Sequence, residues 1–88
     1  MRLFHLQIIT PDGVRFDGEA QQLSVRAVEG ELAILAGHVP LVTALTAGEC
    51  RVYTQDGIRK GRCSGGMLSC TKTDTRLFST DFTWNEAE

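Results

Sequence analysis

Apolar and polar residues alternate along much of the chain. Phe4, Leu6 and Ile8 share one face of an extended segment, and His5 and Gln7 take the other. Leu23, Val25 and Ala27 alternate with Ser24, Arg26 and Val28, and Cys50, Val52 and Thr54 with Glu49, Arg51, Tyr53 and Gln55. A period of two sets one strand face on a core and the other toward water or a partner. Turn signals interrupt the pattern at Pro11-Asp12-Gly13, Asp17-Gly18, Glu29-Gly30, Gly37, Ala47-Gly48, Asp56-Gly57 and Gly65-Gly66. That rhythm predicts short strands joined by tight turns, because glycine reaches positive φ without steric cost and aspartate bonds its own backbone. Asp56-Gly57, between Tyr53-Thr54-Gln55 and Ile58-Arg59-Lys60, is the strongest hairpin signal. Helical signals are weak. Pro40-Leu41-Val42-Thr43-Ala44-Leu45 predicts at most one turn before Gly48, and Asn85-Glu86-Ala87-Glu88 opens a second candidate after Trp84. The pattern reads as one all-β domain over residues 1–88.

Composition narrows the function classes. The apolar fraction of 42% supplies one core, and no apolar run approaches the ~18 residues of a spanning helix. Met1-Arg2-Leu3-Phe4-His5 lacks the apolar stretch of a secretory signal, so the expected compartment is the cytoplasm. A net charge of −2 argues against a nucleic-acid binder, which normally presents a basic face. The densest basic patch is only Arg59, Lys60 and Arg62, in a hairpin arm. Three cysteines, Cys50, Cys63 and Cys70, without a Cys-x-x-Cys pair, read as core filler rather than a disulfide framework or zinc site.

Candidate chemistry is sparse. His38, in Gly37-His38-Val39-Pro40, has no Ser-His-Asp or Cys-His partner motif, so a structural or interface role outweighs catalysis. Glu29 and Glu31 invite a general acid–base reading, but carboxylates at a strand end are more often a solvated turn. Gly65-Gly66 lacks the lysine and helix of a phosphate loop, and reads as a bulge or close backbone approach. Lys60, flanked by Arg59 and Gly61, leaves one alternative: a free-standing binding or lipoyl-type carrier module of similar size. Catalytic residues, cofactors and metals are expected to be none.

The order of the motifs resembles one family. Phe4-His5-Leu6-Gln7-Ile8-Ile9-Thr10-Pro11-Asp12-Gly13 is similar to the Leu-x-Ile-Val-Thr-Pro-(Asp/Glu)-x opening of F-type ATP synthase epsilon subunits. Phe16-Asp17-Gly18-Glu19-Ala20 follows at the family's spacing. Glu29-Gly30-Glu31-Leu32-Ala33-Ile34-Leu35-Ala36-Gly37-His38-Val39-Pro40-Leu41 resembles Glu-Gly-Glu-x-Gly-Ile-Leu-Pro-Gly-His-Ala-Pro-Leu, with Ala33 and Ala36 replacing Gly and Pro. Thr43-Ala44-Leu45, Gly48-Glu49 and Ser64-Gly65-Gly66 extend the likeness, which is strongest over residues 3–72. Beyond Thr71 it fades: Thr75-Arg76-Leu77-Phe78-Ser79 stands where the family has a Val-Thr-Val-Leu-Ala-like strand.

The resemblance implies a flattened β-sandwich of about ten short strands, not an enzyme on its own. It implies a central-stalk component that binds the gamma subunit and contacts the c ring, coupling ion transport to ATP synthesis and hydrolysis. Membrane association would come only through the complex, on the cytoplasmic side of the bacterial inner membrane. By resemblance Thr10 and His38 face gamma, and Glu29 and Glu31 face the c ring. The family's carboxy-terminal helical hairpin has no counterpart, residues 81–88 standing where it would begin; the ordinary Met1 favours a naturally short member.

Overall fold

Alternation becomes strand nearly everywhere in the computed structural model, which describes residues 2–85. Eight strands follow one another: β1 (Phe4–Thr10), β2 (Gly13–Ala20), β3 (Gln22–Ala27), β4 (Gly30–Leu35), β5 (Leu41–Thr54), β6 (Gly57–Cys70), β7 (Asp74–Phe78) and β8 (Phe82–Trp84). They form one continuous sheet in the order β2-β1-β7-β6-β5-β3-β4, with β8 paired to β6. All pairs are antiparallel except β1 and β7.

The all-β class stands, and the difference from ten short strands has a local cause. Asp17-Gly18, Ala47-Gly48 and Gly65-Gly66 lie inside strands rather than at turns, so β5 and β6 each run 14 residues. Both long strands change their inward face midway. Leu45 is buried on β5, then Gly48, Cys50 and Val52; Gly61, Cys63 and Gly65 are buried on β6, then Leu68 and Cys70. A shift of one residue exchanges the two faces of a strand. The continuous sheet therefore folds over at this point into two layers. One holds β2, β1, β7 and the adjoining halves of β6 and β5; the other holds β4, β3, the remaining halves and β8.

One core fills the space between the layers. Leu6, Ile8, Leu23, Ile34, Val52, Leu68 and Leu77 are fully buried, and Phe4, Phe82 and the three cysteines join them. Burial, with smaller contributions from Cys63 and Glu49, pushes the Cys50 thiol up to about 12. The reading of the cysteines as core filler holds. None of the three should react with a thiol reagent until the domain unfolds, which titration with and without denaturant checks.

Two sequence expectations need correction. Pro40–Leu45 is not a helical turn: Leu41 already begins β5, because Leu41, Thr43 and Leu45 alternate inward and pair with Cys70, Leu68 and Gly66. The strongest hairpin signal does mark a hairpin, but its two-residue tip is Gln55-Asp56, with Gly57 at φ 134° opening β6. The Thr54 hydroxyl accepts from the Asp56 amide and donates to the Gly57 carbonyl. Thr10-Pro11-Asp12-Gly13 repeats the device, Thr10 Oγ1 donating to the Gly13 carbonyl at 3.1 Å. The helix start read at Asn85–Glu88 falls on residues 86–88, outside the described ones.

Candidate functional site

Outward positions of a two-layer sandwich are normally polar, and on one layer a row of them is apolar. Val14 pairs with Ile9, Ile9 with Phe78, Phe78 with Met67, and Met67 with Ala44, forming a row across five strands. The Val28 amide donates to the Ala44 carbonyl at 3.1 Å and carries the row onto the β3–β4 turn. Val14, Val28, Met67 and Phe78 are about half exposed, and Val42 (66% exposed) flanks them on β5. At ~4.8 Å between strands the row spans about 19 Å before Val28 extends it. Beside it, Ile9, Thr10, Pro11, Met67, Phe78 and Thr80 wall an apolar recess of about 430 Å³.

The outer face of the other layer is charged. Arg26 and Glu31 approach to 3.8 Å and Arg51 and Glu49 to 3.7 Å, with Lys60 and Arg62 exposed beside them. The domain is thus two-faced, with a continuous apolar belt on one side and a solvated surface on the other. A belt of this kind marks an interaction surface.

A polar cluster borders the belt on the same face. His5 Nε2 lies 2.5 Å from Asp17 Oδ1 on β2, and its Nδ1 lies 3.3 Å from Asp74 Oδ1 on β7. Gln7 donates to Asp17, Arg76 donates to Gln7, and the Thr73 hydroxyl donates to Asp74. The Asp17 hydrogen bond is the chief cause raising the His5 pKa; desolvation opposes it and Asp74 adds to it. Asp17 is lowered mainly by His5, and Asp74 mainly by Thr73 and then His5.

The four residues expected to meet partners are not gathered in one place. Thr10 ends β1 at the recess, buried, with its hydroxyl committed to the turn. Glu29 sits at the tip of the β3–β4 turn next to Val28, and Glu31 follows on the charged face. His38 lies beyond the far end of β4, in the Ala36–Pro40 connection, its amide donating to Leu35 and its Nδ1 2.7 Å from the Val39 carbonyl. Thr10 and the Glu29 turn therefore flank opposite ends of the belt, and His38 stands apart from both. Lys60 is mid-strand, opposite Arg51, rather than on the protruding turn that a carrier lysine needs.

The model of the ATP synthase delta/epsilon chain β-sandwich domain family matches residues 3–85. The chain belongs to that family. It is 37% identical over 84 residues to the sodium-ion-specific ATP synthase epsilon chain of Acetobacterium woodii, covering 94% of this chain and 63% of that one. It is 40% identical over 68 residues to the ATP synthase epsilon chain of Halalkalibacterium halodurans, covering 77% and 51%. The chain thus spans about half to two-thirds of the length of these relatives. Its fold superposes with a TM-score of 0.89 on a chain of the Euglena gracilis mitochondrial ATP synthase, at 21% identity, covering 98% of this chain and 56% of that one. Among the described residues no helix is long and apolar enough to cross a membrane.

Proposed function

We propose that this domain is a non-catalytic central-stalk part of a rotary F-type ATP synthase, docking through its apolar belt onto the gamma subunit. The observation that carries the reading is the row from Val14 to Val28, which leaves large apolar side chains in water unless a partner covers them. A folded-over sheet with one core is stiff, and stiffness suits a part that must transmit rotation without slip. Thr10 helps shape the recess at the gamma side, and His38 contacts gamma from the far end of β4. Glu29, at the Val28 end of the belt, and Glu31, beside it on the charged face, meet the c ring. The domain stands at the cytoplasmic side of the bacterial membrane through this assembly, and uses no cofactor or metal.

The test is co-elution on size exclusion with the gamma subunit encoded by the same genome, using wild-type chain, Met67→Glu and Ile58→Glu. A charge at the belt's centre is expected to weaken binding at least about thirtyfold, the loss seen at a hot-spot residue. Ile58 is equally exposed but lies at the β5–β6 hairpin, so its variant should bind like wild type. Equal binding by both variants would remove the belt from the interface, and failure of the wild-type chain to bind gamma would remove the function.

A further inference from the structure

The His5 cluster is built from the same three strands that carry the first part of the belt. β2 supplies Asp17 and Val14, β1 supplies His5 and Ile9, and β7 supplies Asp74 and Phe78. Resting on the docking reading above, we propose that protonation of His5 sets how firmly the belt accepts its partner.

The argument begins with donor counting. Both ring nitrogens of His5 face carboxylate oxygens, which only accept. Imidazolium has two N–H groups and satisfies both; neutral imidazole has one, so its lone pair would confront a carboxylate. Loss of the proton also leaves Asp17 and Glu19 on β2 and Asp74 on β7 around an uncharged ring. On the facing strands Arg76 of β7 balances them directly, while Arg15 of β2 is turned to Asp12 at 3.9 Å and Lys72 is exposed in the turn before β7. Like charges on neighbouring strands then repel.

The strands tied by His5 include an edge strand, β2, with an irregular register between Ile8 and Ile9, and the one parallel pair, β1–β7. Parallel ladders are slightly weaker per residue, and a bulge disrupts the ladder locally. On its inner side β2 is held by Trp84, whose Nε1 donates to the Arg15 carbonyl at 3.3 Å, and by the edge contact of Phe16 with that ring. Opening the clasp therefore loosens β2 without releasing it. Val14 and Phe78 lose their fixed positions beside Ile9, and a partner must order them on binding.

The sign follows from the shifts. A raised His5 pKa means that the clasp is complete below the ordinary imidazole value of about 6.5 and fails as pH rises through the elevated folded value. The lowered carboxylates keep it intact on the acid side until pH falls well below about 4. With the side chains of His5, Asp17 and Asp74 44%, 51% and 46% exposed, the effect is modest, roughly two- to fivefold.

Two readouts on wild-type chain, His5→Gln and Asp74→Asn test it, at about pH 6 and about pH 8.5, on either side of the imidazole range. Hydrogen-exchange protection factors of β2 amides report the clasp, and affinity for the same-genome gamma subunit reports docking. Wild type is expected to lose both by roughly two- to fivefold at the higher pH, Asp74→Asn to lose less, and His5→Gln to be flat at the weaker level. A flat wild-type affinity with binding intact would overturn the inference alone, as would an unchanged pH response in His5→Gln. Absence of gamma binding at either pH would overturn it together with the docking reading.

Discussion

Gly66→Ala is expected to destabilise the domain by at least about 3 kcal/mol. Gly66 has φ +144°, and a Cβ there would lie 1.9 Å from the Phe78 carbonyl oxygen and 3.0 Å from the Ser79 Cα. All of the obstructing atoms are backbone, so no side chain can swing aside. Relief requires β7 to move off β6, which breaks the Met67–Phe78 pairing and the centre of the belt. Gly13→Ala separates strain from crowding: its φ is +134°, but nothing lies within 4 Å of the new Cβ. That variant should cost only about 1–2 kcal/mol, the penalty of a disfavoured backbone region. Thermal and urea melts of the two proteins decide the matter. Equal losses would mean that the close approach at Gly66 has no energetic weight of its own. For a domain whose whole stability is of order 5–13 kcal/mol, the expected difference is large.

The sequence reading of Gly65-Gly66 as a close backbone approach was therefore sound, whereas treating every glycine pair as punctuation was not. Asp17-Gly18 and Ala47-Gly48 look like turn signals, yet both lie in strands. The Cβ of any residue at position 48 would press on the Arg26 side chain at 3.2 Å, so that glycine serves packing rather than reversal. Core positions were legible because alternation is local: Phe4, Leu6, Ile8, Leu23, Val25, Cys50 and Val52 are all buried. The first part of β5 was missed because the seven residues between Pro40 and Gly48 are too short a window. Its inward phase also changes before Cys50, so no single period covers the strand.

The belt was illegible for a different reason. Each strand contributes one residue, and positions 9, 14, 28, 44, 67 and 78 become neighbours only through register and crossovers. A signal did exist in the exceptions to alternation. Val28 stands among the polar partners of Leu23, Val25 and Ala27, and Ile9 and Val42 likewise occupy outward positions. Such exceptions, taken together, point to a covered face. The motifs of the family likeness instead draw attention to His38 and Glu31, which the fold holds apart.

Ile34→Ala is expected to destabilise the domain by about 2–5 kcal/mol, while His38→Ala and Glu31→Ala change stability by less than about 0.5 kcal/mol. The three positions lie on or just after β4, so the contrast isolates burial from location. Ile34 is fully buried, pairs with Leu23 and packs against the common core. Truncating it leaves a cavity that an edge strand of six residues cannot easily close by shifting, since its register with β3 runs unbroken from Gln22–Leu35 to Ala27–Gly30. Glu31 is exposed and its Arg26 contact at 3.8 Å spans two half-exposed side chains, an arrangement worth little in water. His38 holds its connection through its amide, which alanine retains, and loses only the ring contact to the Val39 carbonyl. Melts give the stabilities, and affinities for gamma and for the c ring give the binding cost, expected at about 1–2 kcal/mol where the side chain is central to its interface. Early melting of His38→Ala or Glu31→Ala with unchanged binding per folded molecule would return these residues to the scaffold. The belt would then carry the docking without them.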